Sequence, residues 1–124
     1  MKILLVDDSK AMRLLQKEVL NQMGFTLITE ATDGLQALQK CKATKPDLIL
    51  LDWNMPNMDG ITFLEEFRKV DTDTSVIMVT TEANQNSIGA ALKQGITGFI
   101  AKPFTPDSLT EGIQKLLPRI KVAS

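Results

Sequence analysis

The stretch Leu48-Ile49-Leu50-Leu51-Asp52-Trp53 decides how this chain is read. Four aliphatic residues in succession match a strand buried on both faces, as in a parallel sheet. The run ends on a carboxylate, and a loop follows at once: Asn54-Met55-Pro56-Asn57-Met58-Asp59-Gly60. Asp52 is therefore expected at the carboxyl end of its strand, where open α/β sheets bind ligands. The first aliphatic run, Ile3-Leu4-Leu5-Val6, also closes on acids, Asp7 and Asp8. If both strands are central and parallel, three carboxylates converge at one edge of the sheet.

Working outward, the remaining elements alternate. The first strand covers about Lys2 to Val6. Ser9 caps a helix to about Met23, with an apolar stripe at Met12, Leu15, Val19 and Met23, and Gly24 stops it. Phe25 to Glu30 reads as a second strand, nearer an edge. Asp33-Gly34 opens a helix carrying Leu35, Leu38 and Cys41, and Lys45-Pro46-Asp47 turns into the central strand. Asp59 caps a third helix to about Lys69, with Ile61, Leu64 and Phe67 inward. Val76 to Val79 is the fourth strand, ending on Thr80 and Thr81. A fourth helix spans about Asn84 to Gln94, apolar at Ile88, Ala91 and Leu92, and Gly95 ends it. Gly98 to Ala101 is the fifth strand, closed by Lys102-Pro103. Thr105-Pro106-Asp107 starts a last helix carrying Leu109, Ile113, Leu116 and Leu117, which Pro118 ends or kinks. This βα alternation with short connections is one doubly wound parallel α/β sheet with helices on both faces. A single domain over 1–124 is expected, with no second domain for output.

Composition limits the function classes. The chain has 124 residues, a formal net charge of −1, 44% hydrophobic and 23% charged residues. That charge gives no electrostatic reason to expect nucleic acid or an anionic membrane. The single cysteine, Cys41, excludes an internal disulfide and fits a reducing compartment. Met1-Lys2 precedes too short an apolar run for a signal peptide, and no segment is long enough to span a bilayer. A cytoplasmic location is expected. Histidine is absent, which excludes Ser-His and Cys-His nucleophiles and histidine-ligated zinc. Carboxylates, amides, hydroxyls and lysine remain, and these suit hard cations such as Mg²⁺.

Four strands thus end on Asp7-Asp8, Asp52, Thr80 and Lys102. Three acids in one cleft repel one another, at a cost of several kcal/mol, about 4 per pair at 4 Å and an effective dielectric near 20. A divalent cation offsets that repulsion. The cleft then holds what phosphoryl transfer needs: a metal, a nucleophilic carboxylate, and Lys102 and Thr80 to hold the transferred oxygens.

These residues resemble the signature of the receiver domain of two-component response regulators, over nearly the whole chain. Trp53-Asn54-Met55-Pro56-Asn57-Met58-Asp59-Gly60, Val79-Thr80, Glu82-Ala83 and Lys102-Pro103-Phe104-Thr105 are similar to the family's stand-alone chemotaxis members. The resemblance implies a flavodoxin-like, five-stranded sheet in the order 2-1-3-4-5, as known for those members. It implies that Asp52 is the phosphoacceptor and that Asp8 and Asp52 are Mg²⁺ ligands. Asp7 would act through water and Asn54 through its backbone carbonyl. Thr80 matches the hydroxyl that binds the phosphoryl group, Lys102 the lysine that pairs with it, and Lys102-Pro103 a peptide bond usually cis in the family. Phe99 matches the switch aromatic. It replaces the more usual tyrosine, and Thr81 stands where alanine is common. The fourth helix is rich in poor helix formers, Asn84, Asn86, Ser87 and Gly89.

The expected function is a phosphorylation switch, not a turnover enzyme. A partner histidine kinase donates the phosphoryl group, and a downstream protein such as a flagellar motor switch component reads the face formed by the fourth helix, fifth strand and fifth helix. A monomer is expected. The alternative is a phosphorelay carrier that passes the group to a histidine on another protein. An aspartate-nucleophile phosphatase is disfavoured, because Asn54 stands where such enzymes place an acid–base aspartate. A flavin site is disfavoured by the Asp7-Asp8 pair, which would repel its phosphate.

Overall fold

The computed structural model describes residues 1–81 and 84–120. Its strands are β1 (Lys2–Val6), β2 (Leu27–Ala31), β3 (Leu48–Leu51), β4 (Ser75–Thr80) and β5 (Gly98–Ala101). Between and after them run α1 (Lys10–Gln22), α2 (Gly34–Thr44), α3 (Gly60–Arg68), α4 (Gln85–Gln94) and α5 (Pro106–Leu116), followed by a 3-10 turn at Leu117–Arg119. The sheet order is β2-β1-β3-β4-β5, and every pair is parallel. Glu82-Ala83 lie outside the described residues.

The aliphatic runs are continuous because both faces of the sheet are covered. Leu4, Val6, Ile49, Leu51, Val76 and Met78 face one core with Ala37, Phe63, Leu64, Phe67 and Ala91 of α2, α3 and α4. Ile3, Leu5, Leu48, Leu50, Ile77 and Val79 face the other with Val19, Leu20, Leu109 and Ile113 of α1 and α5. Every helix starts just past a strand's carboxyl end on a side-chain cap: Ser9, Asp33, Asp59, Asn84 and Thr105. Each cap satisfies an otherwise orphan N–H and is worth about 1 kcal/mol. Among the described residues no helix is long and apolar enough to cross a membrane.

Three details differ from the sequence reading. The second strand begins at Leu27, not Phe25. Gly24, at φ 95°, donates to Asn21 O, and Phe25 donates to Leu20 O. This is a Schellman closure of α1, so Phe25 is spent ending a helix. Leu35 is 49% exposed and Leu92 59% exposed, although both are among the apolar positions picked out along their helices. In α2 the cap at Asp33 sets the phase, so that Gly34, Ala37 and Cys41 turn inward. In α4 only Ala91 is buried.

Candidate functional site

Strand register brings the expected residues together. Val6 pairs with Leu51, Leu51 with Met78, and Met78 with Phe99. Asp7 and Asp52 are each one residue beyond that row. Their backbones stay pinned: Asp7 N donates to Ala31 O at 3.1 Å and Asp52 N to Val6 O at 2.9 Å. Lys102 N donates to Thr80 O at 3.0 Å, just past the Thr80–Ala101 pair. The Lys102–Pro103 peptide bond is cis.

The side chains form one acidic pocket. One carboxylate oxygen from each of Asp7, Asp8 and Asp52 lies within 4.8 Å of the other two. Asp7 and Asp52 are buried and Asp8 is exposed. Lys102 Nζ is 2.8 Å from Asp7 Oδ2 and 3.4 Å from Asp52 Oδ1. Asp7 Oδ1 accepts from Ser9 N at 2.8 Å, and Asp52 Oδ1 accepts from Trp53 N at 2.8 Å. Burial, and then the charge of Asp7, push the Asp52 carboxyl above its ordinary pKa, with Lys102 pulling the other way. Arg13 is close by but committed elsewhere: Nη1 donates to the Asp7 carbonyl and Nε pairs with Glu30 at 3.0 Å.

Three carboxylates against one ammonium leave the pocket electronegative. The donors are hard oxygens, and oxygens on opposite sides of a magnesium ion stand roughly 4 Å apart. The cluster therefore fits a small divalent cation. Both Asp7 oxygens are already engaged, so exposed Asp8 and buried Asp52 are the freer donors. Asn54 is exposed in the loop after β3.

That loop is fastened by contacts the sequence did not reveal. Asn57, at φ 67°, donates through Nδ2 to Asp33 Oδ2 at 2.8 Å, and Gly34 N donates to Met58 O at 3.0 Å. A Cβ on Gly60 would stand 2.2 Å from the Asp52 carbonyl oxygen, and one on Gly34 would stand 2.6 Å from Met58 Cγ. The only signal in the sequence is two Asp-Gly pairs, each legible as a cap followed by a first helical residue.

Thr80 is 3% exposed, and Thr81 is exposed. Thr80 lines a crevice of about 10 Å³ with Trp53, Met78, Ser87, Ile88, Ala91, Ile96 and Phe99. Phe99, one of these lining residues, is 42% exposed.

The family model for the response regulator receiver domain matches residues 3–114. The chain belongs to that family. Receiver domains are signalling modules rather than turnover enzymes, and histidine kinases phosphorylate them. This receiver domain is 40% identical to the chemotaxis protein CheY of Bacillus subtilis over 116 residues, 94% of this chain and 97% of that protein. Among solved structures, the chemotaxis response regulator CheY4 of Vibrio cholerae superposes with a TM-score of 0.85 at 34% identity, covering 94% of this chain and 98% of that one. CheY in the CheX–CheY–BeF3–Mg²⁺ complex of Borrelia burgdorferi superposes with a TM-score of 0.88 at 30% identity, covering 94% and 88%.

Proposed function

We propose that this receiver domain is a chemotaxis switch phosphorylated on Asp52 by a partner histidine kinase. The observation that carries the proposal is Lys102 Nζ standing between Asp7 and Asp52 inside a three-acid pocket. An Asp52 oxygen attacks the phosphorus of the donor's phosphohistidine. The new O–P bond forms as the donor's N–P bond breaks, and the imidazole keeps the electron pair. Asp52 Oδ1 is held by Trp53 N and Lys102, which orients the carboxylate before the donor arrives. Asp8, Asp52 and the Asn54 carbonyl would hold Mg²⁺, with Asp7 acting through water. The ion, when bound, neutralises charge on the transferring phosphoryl oxygens. Lys102 and the Thr80 hydroxyl bond those oxygens afterwards.

Readout follows from the crevice beside Thr80. Phe99 turns inward when the phosphoryl group engages Thr80, and the α4–β5–α5 face changes its affinity for a flagellar motor switch component. The chemotaxis names of relatives matched over nearly their whole length support this output. A cytoplasmic location fits such partners. The test is mass spectrometry after incubation with acetyl phosphate. The expected result is one added phosphoryl group with Mg²⁺, and none with EDTA or in Asp52→Asn. Full labelling in EDTA would overturn the metal assignment. Transfer of the label from Asp52 to a histidine on another protein would replace the switch reading with a relay.

A further inference from the structure

Arg68 ends α3, yet its side chain is only 9% exposed. Its guanidinium is turned onto main-chain carbonyls. Nε donates to Gln94 O at 3.1 Å and Gly95 O at 3.2 Å. Nη2 donates to Gly95 O and Thr74 O, both at 2.7 Å, and Nη1 donates to Asp71 O at 3.2 Å. The Phe67 ring lies beneath it, 5.6 Å from ring centroid to guanidinium carbon. Asp71 faces it with Oδ1 3.8 Å away. Asp71 is itself locked by accepting from Asp73 N, Thr74 N and Thr74 Oγ1. One planar cation thus ties the α3–β4 turn to the C-terminal end of α4. That end carries orphan carbonyls and partial negative charge, so a buried guanidinium satisfies both needs.

Among the described residues, the other end of α4 shows no comparable side-chain clamp. Gln85 and Asn86 are exposed, and Ser87, Ile88, Gly89 and Ala90 are only partly covered. A Cβ on Gly89 would meet nothing within 4 Å. The Asn84 cap, accepting from Ser87 N at 3.0 Å, is local. Beneath this half lies the crevice of about 10 Å³, room for roughly one water and not for the ring of Phe99. An inward Phe99 therefore needs α4 to move, and among the described contacts the side-chain clamp from another element is at its C-terminal end.

We infer that Arg68 is a positioning residue that anchors the Gln94–Gly95 end of α4, so that the helix rearranges as a lever swinging at its Asn84 end. What triggers the swing rests on the reading of Asp52 as the phosphorylation site; the anchor itself does not. The test is amide hydrogen exchange on the wild type and Arg68→Lys, each with and without Mg²⁺ and beryllofluoride. Trp53 fluorescence reports independently whether the mimic binds. In the wild type the mimic should change exchange over 85–90 and leave 92–97 unmoved. Arg68→Lys keeps the charge but cannot reach four carbonyls. Without the mimic, its amides over 92–97 should exchange roughly tenfold faster or more, as expected for losing charge-assisted bonds. With the mimic, its response should spread along the whole helix. A merely stabilising Arg68 would raise exchange everywhere and leave the mimic's pattern unchanged, which would overturn the inference. Equal mimic responses at both ends of the wild-type helix would also overturn it, and that arm needs no variant. A flat Trp53 signal would count against the Asp52 reading, leaving the mimic-free comparison to judge the anchor.

Discussion

Gly60→Ala should damage both the fold and the site, although alanine is the better helix former. Gly60 is the first residue of α3, and its N–H donates to Trp53 O at 2.8 Å. An added Cβ would stand 2.2 Å from the Asp52 carbonyl oxygen, 3.0 Å from Trp53 Cα and 3.1 Å from Asp52 C. Ordinary carbon contacts are about 3.5–4.0 Å, so something must shift by about 1 Å. The obstacle is backbone, and it is held on its far side by the bond from Asp52 N to Val6 O. Overpacking of this kind costs about 1–3 kcal/mol. Urea slopes for small proteins are about 1–3 kcal/mol/M, so the unfolding midpoint should fall by about 1 M. The displaced atoms belong to Asp52 itself, and a misplacement of about 1 Å at a reacting group can cost about a hundredfold in rate. The matched control is Gly89→Ala, in the interior of α4 with open space around it, which should gain about 0.5–1 kcal/mol. Urea melts followed by far-ultraviolet circular dichroism give the stabilities, and the initial rate of acetyl phosphate labelling gives the activity. If Gly60→Ala kept its midpoint and its labelling rate, or gained stability alongside Gly89→Ala, the steric argument would be wrong.

Other expectations follow from single side chains. Gln16 is 2% exposed, and its Oε1 finds no hydrogen-bond partner among the described residues. Gln16→Leu should therefore stabilise by about 1 kcal/mol or more, and an unchanged or lower melting temperature would count against it. Asp52→Asn should stabilise the metal-free protein at pH 7, because the native pocket holds that carboxyl's pKa above its unfolded value of 3.8. The native state thus binds this proton more tightly, and the advantage should shrink as pH falls through the raised pKa. Mg²⁺ should stabilise the wild type more than the variant in the same melts. Asp33 shows the opposite sign. Its cap to Gln36 and its bond from Asn57 lower its pKa, so Asp33→Ala should cost about 1 kcal/mol at neutral pH. That cost should fade below about pH 4, as the wild-type carboxylate protonates. Fluorine NMR of a fluorinated Phe99 should show its outward signal replaced when beryllofluoride binds. A signal unmoved while Trp53 reports binding would remove the ring from the switch.

Much of this was legible because it is local. Continuous aliphatic runs at Ile3–Val6 and Leu48–Leu51, the caps Ser9, Asp33, Asp59 and Thr105, and the strand-ending Asp7, Asp8, Asp52, Thr80 and Lys102 are all readable from neighbouring residues. Helical and extended periods depend on spacing along the chain, and a cap depends on the next three residues. The strand order came from family resemblance rather than from the residues, since no local pattern encodes which strand lies beside which. Only the tertiary structure decided that Leu35 and Leu92 face outward and that Lys102 stands closer to Asp7 than to Asp52. It alone decided that Gly60 must lack a Cβ to clear Asp52, and that Arg68 serves α4 rather than solvent. Each of these depends on the distance between segments that no local sequence pattern relates. That distance is set by how two cores pack against one sheet, to within about one ångström.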